Sequence, residues 1–124
     1  APVPVTARLG LPEGQPMRYL ETLHMAGGRP FVHEARWLNP AALPTPAPDF
    51  ATSSANEWLV THVSLVSGDI AFLAEGASPR EAEVLGVAPG AALLIAERTT
   101  HGTLGPITFV RLAHAPGHRV AMTF

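Results

Sequence analysis

The chain has 124 residues, 47% hydrophobic and 15% charged, with a formal charge of −2, no lysine and no cysteine. That length makes about one domain with its own core, too apolar for a disordered tail, and no apolar run reaches the roughly 18 residues that cross a bilayer. The charge excludes a binder of phosphate backbones, and the lack of cysteine excludes disulfides, thiolate metal sites and thiol nucleophiles while agreeing with a cytoplasmic location.

The opening APVPVTARLG has no initiator methionine and no leader, as expected of a piece of a longer protein. VTARLG reads as the end of a helix, LPEG as a turn, and residues 17–25 as a strand. AGGRP is a hairpin turn and residues 31–38 the returning strand. Residues 39–54, NPAALPTPAPDFATSS, are rich in proline and small residues and are expected to form a long surface loop, a candidate to close over a ligand. Ser54 and Glu57 are spaced as a capping box, so a helix of about two turns follows. Residues 62–75 read as a strand broken at Gly68.

ASPREAEVLGV then gives a helix over 79–85: Ser78 is its N-cap, Pro79 its first residue, Glu81 closes a capping box and Gly86 stops it. A turn at 88–90, a strand over 91–100, the hairpin turn HGTLGP and a return strand over 107–114 complete the pattern, and 119–124 could add another strand.

The two halves repeat each other at a constant offset of 76: Leu9/Leu85, Gly10/Gly86, Gly14/Gly90, Glu21/Glu97 and Pro30/Pro106 are identical pairs. Two copies are too few for a solenoid, so one domain uses a helix, turn and β-hairpin twice. The expected architecture is α+β, a largely antiparallel sheet with short helices outside it, in two pseudo-symmetric helix–hairpin halves.

Alternation places Val32, Glu34 and Arg36 on one face of the first return strand, and Thr108, Val110, Leu112 and His114 on the equivalent face of the second. Arg36 offers a planar fork suited to a carboxylate or phosphate; Glu34 either accepts from a ligand N–H or holds Arg36 in place. A solvated surface ion pair is the competing reading of the two. The helix start near Asn56 presents free backbone N–H groups, and Trp58 stands one turn in, where it could equally be core. The six histidines, His24, His33, His62, His101, His114 and His118, follow no metal-ligand spacing, so no metal and no cofactor are expected. There is no GxSxG, no glycine-rich phosphate loop and no close carboxylate pair, so an enzyme is not indicated.

LGLPEGQPMRYLETLHMAGGRPFVHEARWLNP, NEWL and LGVAPGAALLIAERTTHGTLGPITFVRLAH together resemble the UTRA effector-binding domain of GntR-family transcriptional regulators, over nearly the whole chain. HEARWLNPAALP, NEWL and PITFVRL are most similar to the histidine-utilisation (HutC-type) repressors. The resemblance implies a chorismate-lyase-like fold over 1–124, a homodimer, and a winged helix-turn-helix domain outside this chain that contacts operator DNA; no membrane is implied. It also implies a small-molecule effector, urocanate for the HutC type, bound around Arg36, Glu34, His24, Asn56, Trp58, Thr108 and His114, with Arg111 in second rank because strand phase puts it on the opposite face. Thr22 and His24 stand where relatives that bind sugar phosphates carry arginines, which disfavours a phosphorylated sugar, and an arginine at position 36 suits a carboxylate. A sensor for another small acid and, more remotely, a chorismate-lyase-like enzyme are the alternatives.

Overall fold

The computed structural model describes residues 3–42, 65–103, 105–117 and 123. In chain order they form α1 (Val3–Leu9), β1 (Arg18–Ala26), β2 (Arg29–Leu38), a single 3-10 turn (Pro40–Ala42), β3 (Leu65–Gly76), α2 (Pro79–Leu85), β4 (Ala92–Gly102) and β5 (Gly105–His114). The strands make one five-stranded sheet in the order β1-β2-β5-β4-β3. Asn39 N–H bonds Ile107 O at 2.8 Å and Ala115 N–H bonds Phe31 O at 2.8 Å, so the central pair β2/β5 runs antiparallel and Arg36 lies across from Val110. The α+β class with a largely antiparallel sheet is what the sequence pattern implies.

The 76-residue repeat reappears in the backbone. Gly10 and Gly86 have φ of 70° and 68°, Gly14 and Gly90 of 83° and 80°. Leu11 N–H bonds Thr6 O at 2.9 Å as Val87 N–H bonds Ala82 O at 3.0 Å, and Gln15 N–H bonds Pro12 O at 3.1 Å as Ala91 N–H bonds Ala88 O at 3.0 Å. Each helix thus ends through a left-handed glycine and turns directly into a strand, which is why glycine stands at those positions in both copies.

Chain segments divide into two compact units, Ala1–Tyr19, Trp37–Asp69 and Arg98–Phe109 in the first, Leu20–Arg36, Ile70–Glu97 and Val110–Phe124 in the second. Each combines the helix and turn of one sequence copy with hairpin residues of the other. In the first unit Val5, Leu9 and Phe109 form a buried cluster, with Leu11, Met17 and Trp37 packed on it. Asn39, 4% exposed, donates from Nδ2 to Pro106 O at 2.9 Å and fixes the end of β2 beside the start of β5.

In the second unit α2 lays Ala82 and Leu85 on Leu93, Ile95 and Ala113. The capping box is formed as expected: Ser78 Oγ accepts from Glu81 N at 3.1 Å and Glu81 Oε1 accepts from Ser78 N at 3.1 Å. Glu81 also receives Arg111 Nε–H at 2.8 Å, so one buried carboxylate both caps the helix and ties it to β5.

The structure corrects the sequence reading at Gly68. β3 runs unbroken from Leu65 to Gly76. A Cβ at Gly68 would lie 3.1 Å from the Thr99 carbonyl of the neighbouring strand, so close backbone approach, not a break, disfavours a side chain there. The first hairpin is also tighter than the sequence suggests: Gly27 and Gly28, with φ of 59° and 76°, form a two-residue turn, and the strands extend to Ala26 and from Arg29. The helix expected after Ser54, most of the loop over 39–54 and, apart from residue 123, the strand expected over 119–124 lie outside the described residues.

Candidate functional site

β2 is apolar enough to be buried yet carries charge on both faces. Even-numbered residues share one face, and there Arg36 is 1% exposed. Its Nε–H donates to Glu34 Oε2 at 3.1 Å, and Glu34 Oε1 accepts from His24 Nε2 on β1 at 3.2 Å. Among the described residues, the buried Arg36 Nη2 has no hydrogen-bond partner. A guanidinium donor out of water and unpaired is costly, which marks a place where a ligand acceptor would be favourable. Burial raises the Glu34 pKa, but the Arg36 charge and the hydrogen bonds from His24 and Arg36 outweigh it and hold the carboxyl below its ordinary 4.5, ionised at neutral pH.

The repeat sharpens the point. At the positions of Glu34 and Arg36 the second copy has Val110 and Leu112. Val110 is 1% exposed, so the same strand position is filled by a hydrocarbon in one copy and by a charge in the other.

The other expected site residues fall in different places. His114 stands on β5 in the second unit and its Nδ1 bonds Leu94 O at 2.9 Å. A carbonyl only accepts, so Nδ1 carries the proton and Nε2 of the neutral ring is an acceptor. Thr108, 2% exposed, belongs to the first unit, where its hydroxyl donates to Trp37 O at 2.9 Å and leaves its oxygen lone pairs for a donor. Asn56 and Trp58 lie outside the described residues.

Arg111 is engaged elsewhere: Nε donates to Glu81 at 2.8 Å, Nη2 to Glu75 at 3.0 Å and Nη1 to Glu97 at 3.4 Å. Both Arg111 and the buried Ala113 are odd-numbered, which sets this cluster on the α2 side of β5, opposite to Val110, Leu112 and His114.

A further polar cluster, absent from the sequence expectations, sits on the odd face of β1 and β2. His33, 4% exposed, donates Nε2–H to Glu21 Oε1 at 2.7 Å, and Arg80 of α2 clamps the same carboxylate with Nε at 2.9 Å and Nη2 at 3.0 Å. Glu21 reads in sequence as an ordinary charge near a hairpin turn, because Arg80 is 59 residues away. The Arg80 and His33 hydrogen bonds lower the Glu21 pKa from 4.5 to about 2. A depressed carboxylate stabilises the fold fully above its unfolded value, and that contribution is lost as pH falls through the folded value. The thermal midpoint is therefore expected to fall as pH drops from about 4.5 towards about 2, and Glu21→Gln to lack that part of the fall in calorimetric scans.

Among the described residues no group of three or more His, Cys, Asp or Glu side chains could hold a metal ion, and no helix is long and apolar enough to cross a membrane.

Comparison with known proteins places this geometry. The UTRA domain family model matches residues 1–119. No protein in the curated set matches the sequence. The C-terminal domain of the histidine utilization repressor from Pseudomonas syringae pv. tomato str. DC3000 superposes with a TM-score of 0.85 at 25% identity, covering 96% of this chain and 86% of that one. The ligand-binding domain of a protein assigned to the GntR-family transcriptional regulators of Bordetella bronchiseptica gives 0.76 at 24% identity, covering 99% and 83%. A GntR-family regulator from Enterococcus faecalis V583 gives 0.78 at 18%, covering 96% and 88%, and these last two speak to the fold alone. With a family match over nearly its whole length and a five-stranded sheet of the same kind, the chain belongs to the UTRA family, the effector-binding domains of GntR-family transcriptional regulators.

Proposed function

We propose that this domain is the effector sensor of a repressor of histidine utilisation, binding urocanate or a similar small carboxylate. It would act as a homodimer, with ligand binding changing how a winged helix-turn-helix domain in the same protein engages operator DNA. The observation that carries the reading is the Arg36 guanidinium, buried to 1% exposure with Nη2 unpaired among the described residues, at a position where the second sequence copy has Leu112. The likeness at 25% identity to a histidine utilization repressor domain supports the pathway.

In this reading the effector carboxylate pairs with the Nη edge of Arg36, a charge-assisted and geometrically selective contact. Glu34 takes the second of its two sequence roles, holding Arg36, with His24 behind it. His114, on the same strand face of the second unit, is a further contact for the imidazole end, and Thr108, Asn56 and Trp58 are proposed contacts on the strength of the family resemblance. Arg111, bound to its three glutamates, serves the scaffold. A ligand switches such a protein only through different affinities for two states, so urocanate must favour one arrangement of the dimer over the other. Calorimetric titration with urocanate is expected to give one site per chain and a raised thermal midpoint. Absence of both heat and thermal shift at millimolar urocanate would remove this effector. Binding of a different histidine-pathway acid in its place would keep the carboxylate sensor and change its ligand.

A further inference from the structure

The Arg36 site is a graded chain from solvent to interior. The His24 side chain is 49% exposed, Glu34 13% and Arg36 2%. Glu34 accepts from His24 Nε2 with one oxygen and from Arg36 Nε with the other, at 3.2 and 3.1 Å, so the carboxylate orients the guanidinium and the imidazole orients the carboxylate. With its Nε side occupied, Arg36 offers only its Nη edge to an incoming anion.

Charge follows from the same contacts. Within the triad Arg36 and Glu34 cancel, so its own net charge is zero while His24 is neutral and one positive unit once His24 is protonated. Neutral imidazole and imidazolium both donate Nε2–H to Glu34, so protonation changes the charge of the chain without breaking its hydrogen bonds. Glu34 stays ionised, since its pKa is held below the ordinary carboxylate value. His24 is half in solvent, so that proton has a path. On the same strand face of the second unit, His114 is the other titratable group among the described residues, hydrogen-bonded to Leu94 O. Among the described residues, the other paired charged or titratable groups of this unit lie in the Glu21–His33–Arg80–Glu83 and Glu75–Glu81–Glu97–Arg111 clusters, reached through odd-numbered strand positions and α2. Arg29 is exposed at the hairpin end of β2.

We propose that His24 is a positioning residue that sets the anion affinity of Arg36 through Glu34, so that the domain binds a small carboxylate more tightly as His24 takes up a proton. This rests on Arg36 being the carboxylate anchor. It makes the sensor respond to ligand concentration and pH together.

The test is a series of calorimetric titrations of the domain and of His24→Gln between about pH 5.5 and about pH 8.5. Two probes are used: urocanate, and trans-cinnamate, which carries the same acrylate on a phenyl ring and has no group that titrates near neutrality. The expected result is a dissociation constant for cinnamate that tightens about threefold to tenfold on acidification in the parent domain, as one added charge at a partly solvated distance gives. In His24→Gln it is flat. If urocanate binds and cinnamate does not, the difference between the two proteins in the urocanate profile is read in the same way. Binding that is independent of pH, or a pH dependence that survives in His24→Gln, overturns the role of His24 and leaves the carboxylate sensor standing. Failure of both probes to bind at every pH overturns the sensor reading, and the His24 role with it.

Discussion

Replacing Arg36 by leucine is expected to weaken urocanate binding by about 2 kcal/mol or more, about thirtyfold in dissociation constant, with the fold retained. The loss is large because the guanidinium is out of water: a carboxylate bound to it exchanges a desolvated, unpaired donor for a charge-assisted pair, and a leucine offers nothing in its place. Retention of the fold is expected from the second copy, where Leu112 and the 1%-exposed Val110 occupy the equivalent positions. Exchanging a buried ion pair for hydrocarbon of similar volume is commonly neutral or stabilising, provided that neither charge is left behind. Arg36→Leu alone leaves Glu34 with only His24, so the cleaner variant is Glu34→Val with Arg36→Leu, which writes the second copy's pair into the first. The double variant should melt at or above the parent temperature and fail to bind. A calorimetric dissociation constant unchanged from the parent would show that Arg36 is not the anchor.

Why Arg36 was legible in the sequence while the Glu21 cluster was not comes down to range. Glu34 and Arg36 are two residues apart on one strand, and alternation alone puts them on one face. The repeat turned that local pattern into a comparison, since the two equivalent positions in the other copy are Val110 and Leu112. The helix over Pro79–Leu85 was legible for a similar reason: Ser78, Pro79, Glu81 and Gly86 each supply a local hydrogen bond or dihedral preference that acts within one turn. Gly68 was misread because the contact that disfavours a side chain there is a carbonyl 31 residues away, at Thr99, and nothing in the flanking sequence reports it. The clamp of Arg80 on Glu21 depends on α2 meeting β1 after an intervening separation of 59 residues. For Arg111, strand phase gave the correct face, opposite to His114, but not the three carboxylates waiting there, which come from β3, α2 and β4.

Those carboxylates make Arg111 the residue whose loss is expected to cost the most stability. Glu81 and Glu97 have side chains 6% and 10% exposed, and Arg111 itself 20%, so the cluster is largely out of water, whereas Glu75 at 46% contributes little. Burial pushes the Arg111 pKa down, but hydrogen bonds and charge from Glu81, then Glu75, outweigh it, so the guanidinium is firmly charged. Burial likewise raises the Glu81 pKa, but the Arg111 and Ser78 contacts bring it below the ordinary value. Arg111→Met keeps the hydrocarbon stem but strands buried negative charge between α2 and β4, and breaking one side of a buried pair typically costs about 3 to 5 kcal/mol. A fall in thermal midpoint on the order of 10 °C or more should follow for a domain of this size. Because Glu81 also caps α2 through Ser78 N, that charge cannot simply swing out to solvent without losing the cap. Arg111→Met combined with Glu81→Gln should therefore recover part of the lost stability, since a neutral amide can still accept from Ser78 N while requiring no counter-charge. If the single variant melts within about 2 °C of the parent, the cluster is a solvated surface network and α2 is held by the Ala82, Leu85 and Ile95 contacts alone.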